Sequence, residues 1–311
     1  MKKIIRFSPQ GLIPCGKLLR SLLSVFFVAF FALPVVAVEP AVSSSTAKSM
    51  YVYFLDVGQG DCTFIRTPDG KNILIDGGPL DEGFDAGKEI VVPFLKKKNV
   101  KYLDTIVATH SHGDHIGGLP SIMKAMPVGE VLDSGFVYPS PFYERFLKTI
   151  SAKKITYRIV QKDDILKWDP NLTVKVLSPS RGHFFEDPNN NSIVIRMTYK
   201  NMSFLFPGDA EDLAEYEIVS SYKKSELASV ILKVPHHGSR TSSTDIFLEA
   251  VQPEVGIVPV GRFNRFHLPN NGVMKRYADY GIEIHRTDKE GTIFVSTDGE
   301  TYALKALGFN Q

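Results

Sequence analysis

The chain has 311 residues, 43% of them hydrophobic and 23% charged, with a formal net charge of +2. That composition excludes a disordered chain and supplies enough apolar residues for one large core or two modest ones. With only two cysteines, a disulfide-stapled scaffold is excluded as well.

Residues 1–37 read as a secretory signal. Lys2, Lys3, Arg6, Lys17 and Arg20 accompany the apolar run Leu22 to Val38, and Val35-Val36-Ala37 supplies the small-residue pattern of a cleavage site, with the cut expected after Ala37. Pro34, near the end of the run, favours cleavage. The alternative is an uncleaved anchor, because the run lies at the lower edge of what spans a bilayer. Either way the folded part is expected outside the cytoplasm, periplasmic or secreted. Losing the five basic residues of the leader leaves 31 Lys and Arg against 34 Asp and Glu, a net charge of about −3. A broad basic surface that tracks phosphate is therefore not visible in the totals. Cys15 leaves with the signal, and Cys62, alone in "DCTFIRT", reads as a small buried hydrophobe.

The Ser-rich stretch 38–49 reads as a flexible linker, with order beginning near Met50. Apolar runs bounded by Gly, Asn and Asp predict strands at about 51–57, 62–67, 72–76 and 104–109, with a helix from Lys88 to Lys98 between the last two. The second half predicts strands near 192–199, 202–207, 229–235, 255–260, 282–286, 292–297 and 301–306, and helices near 210–222, 243–251 and 271–280. Such an α+β pattern implies two sheets packed face to face with helices on the outer faces. No composition shift divides it, so residues 50–307 are expected to form one domain.

"THSHGDHIGGL", residues 109–119, follows a β-branched run and carries His110, His112, Asp114 and His115 within six positions. Alternate side chains of a strand end share a face, and the chain then turns toward a second point; imidazoles and carboxylates in that arrangement suit divalent Zn, Mn or Fe. A solvated polar loop is the competing reading, and four ligand types in six residues argue against it. Further ligands come from strand ends: Asp209 closes "FLFPGDA", and His236 and His237 follow "ILKVP". Asp209 also suits a helix cap for the following segment. Extended strands alternate their faces, so His237 is expected as the ligand, with His236 left to substrate.

These stretches resemble the metallo-β-lactamase fold superfamily. Within it they resemble the branch containing the extracellular hydrolase domain of ComEC-like competence proteins, through "FLDVGQGDCTFI", "ILIDGG", "THSHGDHIGGL", "NNNSIVI", "FLFPGDA", "LKVPHHGS", "HRTDKEGTIFV" and, more loosely, "NRFHLP". The resemblance implies a four-layer αββα sandwich with a metal centre at one edge. It assigns His110 and His112 to a first metal and Asp114, His115 and His237 to a second, with Asp209 bridging. Most of the superfamily gives the first metal a further histidine from the loop that here reads "EDPNNNS". Asn191 is the expected polar replacement, ahead of His183, so one tight and one loose site are expected, filled by Zn or Mn.

A metal pair of this kind makes a water nucleophilic near neutral pH and clamps the attacked and leaving oxygens, which suits phosphodiesters. The expected substrate is DNA, a phosphorylated cell-wall component or a lipid headgroup; no obligate protein partner is expected. Asp114, His236 and His267 are the candidate catalytic residues, His267 as general acid or phosphate donor. Asn191, Asn264 and Ser239 are candidate binding residues, and Thr241 is a weaker one. Asp61 and Asp76 are read as orienting the ligating histidines, Asp56 as shaping a turn, and Lys233 as a strand-edge lysine. Hydrolysis of a lactone or β-lactam by the same activated water, and a noncatalytic module that keeps metal for stability, are the competing functions.

Overall fold

Along Met50–Phe54 (β1), Val52 and Phe54 belong to one hydrophobic cluster while Tyr53 packs on another. The same alternation recurs in Thr63–Arg66 (β2), with Ile65 opposed to Phe64, and in Asn72–Ile75 (β3), with Ile73 and Ile75 opposed to Leu74. Strands apolar on both faces must be covered on both. In this computed structural model, which describes residues 48–309, that is how they are arranged. The expected signal 1–37 and residues 38–47 of the linker lie outside the described residues.

A two-stranded hairpin follows, Leu80–Asp81 (β4) with Phe84–Asp85 (β5). Then come Leu103–Ala108 (β6), Val128–Asp133 (β7), Thr156–Ile159 (β8), Leu172–Ser178 (β9), Val194–Tyr199 (β10) and Met202–Phe206 (β11). Ile231–Lys233 (β12), Val255–Val258 (β13), Glu283–Arg286 (β14), Ile293–Thr297 (β15) and Tyr302–Ala306 (β16) complete the set. One sheet has the order β16-β15-β1-β2-β3-β6-β7-β8 and the other β14-β13-β12-β11-β10-β9. The core between them takes Val52, Phe54, Ile65 and Val107 from the first and Val176, Ile195, Phe204 and Ile257 from the second. Helices 92–97, 119–125 and 141–153 cover the outer face of the first sheet. Helices 212–221, 245–251 and 271–279 cover that of the second. The result is the expected αββα sandwich.

Each sheet is part antiparallel and part parallel. In the first, β3, β6, β7 and β8 run parallel, with Ile75 paired to Val107; in the second, β11, β12, β13 and β14 run parallel, with Lys233 paired to Ile257. Parallel strands deliver their following loops to one edge, the usual place for a site in such sheets. Asp76, His110, Asp209 and His237 all sit in those loops.

Several elements differ from expectation. The expected helix 88–98 is a π-helical turn, Gly87–Val91, continued by the α-helix Val92–Lys97. The expected strand 229–235 is only Ile231–Lys233, because Pro235–Gly238 forms a 3-10 turn. Helix Pro141–Lys153 was not foreseen, although Ser140 Oγ caps it from Tyr143 N at 3.2 Å and Phe146, Thr149 and Ile150 give it a buried face. Strands β7, β8 and β9 were also not foreseen. Cys62 is buried in the outer core of the first sheet, as a small hydrophobe would be.

Candidate metal centre

Where β6 ends, Thr109 is tied to the loop after β3: its N–H and its hydroxyl donate to Asp76 Oδ1 and Oδ2 at 2.9 and 2.7 Å. The chain then makes the helical turn Gly113–Ile116, which swings His115 back so that its Nδ1 meets Asp76 Oδ2 at 2.8 Å. A carboxylate at Nδ1 fixes the ring and leaves Nε2 to ligate. That Nε2 is fully buried with no hydrogen-bond partner, 3.1 Å from Asp209 Oδ2. Upstream, His110 Nε2 and His112 Nδ1 face each other at 3.1 Å.

Asp209 follows β11 with its N–H donating to Ser192 Oγ at 3.1 Å. Its Oδ1 accepts from Lys233 Nζ at 3.2 Å, and its Oδ2 lies 3.4 Å from His237 Nε2. The helix-cap reading of Asp209 fails, because Asn190 Oδ1 accepts from Glu211 N and Ala214 N at the start of helix 212–221. His237 Nδ1 is held by Pro259 O at 2.9 Å and its Nε2 stands 3.3 Å from Asp114 Oδ2. One atom each from Asp114, His115, Asp209 and His237 can be chosen so that all lie within 4.8 Å of one another. Asp61, Asp76 and His115 form a second such group among the described residues; His110 and His112 belong to neither.

Electrostatics supports a cation here. Four carboxylates, Asp61, Asp76, Asp114 and Asp209, meet the histidines here, and one buried lysine, Lys233, pairs with two of them, Asp61 and Asp209, and donates to Gly208 O at 2.7 Å. Burial alone would raise the Asp209 carboxyl, but the facing His115, His237 and Lys233 outweigh it and hold it well below the usual range. Burial would likewise lower His237, yet Asp209 and Asp61 push it up to about 10. His115 is also raised, against burial, by Asp209, Asp76 and Asp61. Carboxylates that favour the charged imidazole in this way would be neutralised by bound divalent ions in its place. The donor set of imidazole nitrogens and carboxylate oxygens, with one imidazole nitrogen orphaned, fits a divalent metal.

The cluster floors a cleft of 590 Å³ whose lining includes His112, Asp114, Asp209, His236, His237, Ser239 and His267. Of the expected binding residues, Ser239 therefore reaches the cleft, while two others do not serve as expected. Asn191 is fully buried and spends its side chain on its own loop, accepting from Phe185 N and donating to Phe185 O and Asp187 O at 2.8–2.9 Å. Asn264 accepts from Leu268 N and donates to Gly261 O and Leu268 O at 2.8–2.9 Å, so it braces a loop. The neighbour Asn189 lines the cleft with an unpartnered, buried Oδ1. It was missed because nothing in "NNN" distinguishes the three.

The histidine pair lies beyond the strand, which ends at Lys233. Both His236 and His237 have positive φ, 48° and 51°, inside the 3-10 turn, so strand alternation does not separate them. Glycine-like backbone in both aims His237 at the cluster and leaves His236 at the rim. There His236 Nδ1 lies 3.1 Å from Glu211 Oε1, and its Nε2 lies 4.0 Å from Asp209 Oδ2. Lys233 is no strand-edge lysine: it is 3% exposed at the centre of the carboxylates. Glu211 lies outside every motif, and Lys233, although inside "LKVPHHGS", carries no local sign of its partners. Asp61, near His237 Nδ1 at 3.3 Å, and Asp76 touch the histidines, whereas Asp56 accepts from Gly58 N within its own turn.

Fold and site together define a metal-dependent hydrolase architecture. The profile described as the metallo-beta-lactamase superfamily matches residues 55–262, and the chain belongs to that superfamily. It is 32% identical over 272 residues to ComE operon protein 3 of Bacillus subtilis (strain 168), covering 82% of this chain and 34% of that protein. To competence protein ComA of Neisseria gonorrhoeae it is 31% identical over 239 residues, covering 76% and 31%. The chain thus spans about a third of these relatives. Among solved structures, a mutant of the CmlA beta-hydroxylase matches with a TM-score of 0.50 at 14% identity, covering 80% of this chain and 53% of that one, a likeness of fold alone.

Proposed function

We propose that this chain is an exported metal-dependent phosphodiesterase. The observation that carries the reading is the convergence of Asp114, His115, Asp209 and His237, three of which line the cleft. Those four would hold one ion, and His110 and His112 with Asp209 a second, Zn or Mn in either case. When bound, such ions supply the positive charge that makes a water nucleophilic near neutral pH and draws electron density from phosphoryl oxygens. Export is supported by residues 1–37, which read as a signal.

The protein's own groups have distinct tasks. Asp76 and Pro259 O fix the tautomers of His115 and His237. Lys233 occupies Asp209 Oδ1 and leaves Oδ2 toward the histidines. His236, with Nδ1 against Glu211, presents Nε2 to the cleft and protonates the leaving oxygen. His267, exposed on the same cleft with Ser239, contacts phosphoryl oxygens. With divalent ions bound, a site of this kind would favour a charged phosphodiester over a neutral lactam. The names of the competence relatives support DNA among the candidate substrates.

The purified chain, supplied with Mn or Zn, is assayed on bis(p-nitrophenyl) phosphate, single-stranded DNA and a β-lactam. Turnover of the diesters supports the reading. Opening of the lactam with the diesters left intact would replace it by the lactonase or β-lactamase alternative.

A further inference from the structure

Beside the cleft, the sequence "GRFNRFHL" carries two phenylalanines, each preceded by an arginine. Phe263 is 98% exposed and Phe266 56%. A ring that exposed contributes little to folding. The loop is nevertheless braced: Asn264 ties Gly261 O to the backbone of Leu268, and Gly261 N donates to Gln59 Oε1 at 3.1 Å. A Cβ at Gly261 would come within 2.7 Å of Gln59 N, so the loop is pressed onto the turn that leads to Asp61. The rings are therefore presented on a fixed support that shares its base with the metal centre.

A second hollow of 590 Å³ adjoins the cleft, and Gln59, Asp114 and Phe266 line both. Phe142 stands in this hollow, and Tyr138, from the same segment, meets His112 edge-on at 5.7 Å. Further aromatic rings thus stand beside the cluster. Arg265 lies with its guanidinium 5.0 Å over the Phe266 ring, and Arg240 lines the cleft.

We propose that the 261–268 loop is a base-stacking wall that holds single-stranded nucleic acid across the metal centre, an inference that rests on the phosphodiesterase reading. Every unpaired base has a π-face to lay on phenylalanine, and arginines beside the rings neutralise the adjacent phosphates. A duplex hides those faces, so the wall discriminates by strandedness. An anionic lipid surface pressed onto the same hollow would meet Asp81 and Glu82, which line it. A single strand avoids them by running its backbone along the arginine side.

The test is fluorescence anisotropy of labelled oligothymidylate on the full chain, which reads binding whether or not turnover occurs. Phe263→Ala with Phe266→Ala is expected to weaken binding about ten- to a hundredfold. Phe263→Trp with Phe266→Trp retains it, and Tyr216→Ala, an exposed ring on helix 212–221, leaves it unchanged. Selectivity, as kcat/KM for the oligonucleotide over that for bis(p-nitrophenyl) phosphate, falls in the alanine pair. Unchanged affinity in that pair overturns the wall, as does loss of binding to phosphatidylglycerol vesicles with oligonucleotide affinity intact. Failure of the phosphodiesterase reading is seen separately, as absence of diester turnover in the wild type.

Discussion

Lys233 Nζ lies 3.2 Å from Asp209 Oδ1, both side chains almost wholly buried, and it pairs with Asp61 at the same time. One lysine from the middle of a sheet thereby decides which oxygen of Asp209 is free. Lys233→Met removes that cation and leaves Asp61 and Asp209 with only His115 and His237 facing them, a loss expected to cost about 3–5 kcal/mol. Thermal unfolding with and without added Zn is the measurement. The variant should be less stable than the wild type in chelator and should gain more from metal, because the ions then carry the whole burden of neutralisation. Equal stabilities in chelator would contradict this role.

The Asp76–His115 contact gives a second expectation. Asp76→Asn offers an amide donor to Nδ1 in place of an acceptor, which favours the tautomer with its proton on Nε2, the atom aimed at Asp209. Metal affinity should fall about ten- to a hundredfold, read by competition with a fluorescent chelator. An unchanged affinity would mean that His115 does not ligate through Nε2.

Gly60 is packed against the site more closely than any side chain allows. A Cβ there would lie 2.2 Å from Asp114 O, the carbonyl that accepts from Asp61 N at 3.1 Å. Gly60→Ala must push the Asp114 turn away from the Asp61 turn. A cost of about 1–3 kcal/mol is expected, accompanied by reduced metal content. A variant with normal melting temperature and normal metal content would show that the two turns are not coupled.

Glu215 sets a pH dependence away from the metal centre. It accepts from Ser243 N, Thr244 N and Thr244 Oγ1 at 2.6–2.8 Å, yet burial pushes its carboxyl up from 4.5 to about 7. The folded state therefore keeps a proton that the unfolded chain releases, so this stabilisation is complete below the unfolded pKa and is lost as pH rises toward 7. Glu215→Gln should remove a fall in stability of about 3 kcal/mol between roughly pH 4.5 and pH 8. Denaturant melts across that range check it, and parallel pH profiles for variant and wild type would contradict it.

How far the sequence carries can be argued from these same residues. His110, His112, Asp114 and His115 were legible because their spacing is local and a strand end followed by a turn is easily read. Asp209 and His237 were legible as ligand types at strand ends, but the backbone that aims His237, a left-handed pair inside a 3-10 turn, was not. Lys233 and Glu211 act through partners 21 or more residues away, among them Asp209, Asp61, Asn190 and His236, which no local pattern encodes. Asn191 and Asn264 misled because amides in motif loops look like ligands, whereas here their polar atoms satisfy nearby backbone groups. In the fold, two-sided apolar strands announced a sandwich. Helix Pro141–Lys153 and strands β7 to β9 went unassigned because Pro, Gly and charged residues interrupt them and most of β8 is exposed.

The most direct test of the metal centre is elemental analysis of the purified chain and its Asp209→Ala variant after loading with Zn or Mn and desalting, read beside hydrolysis of bis(p-nitrophenyl) phosphate. Bound metal should be one to two equivalents in the wild type, clearly lower in the variant, and diester turnover should be lost with it. Equal metal and equal turnover in the two proteins would contradict the account at its centre.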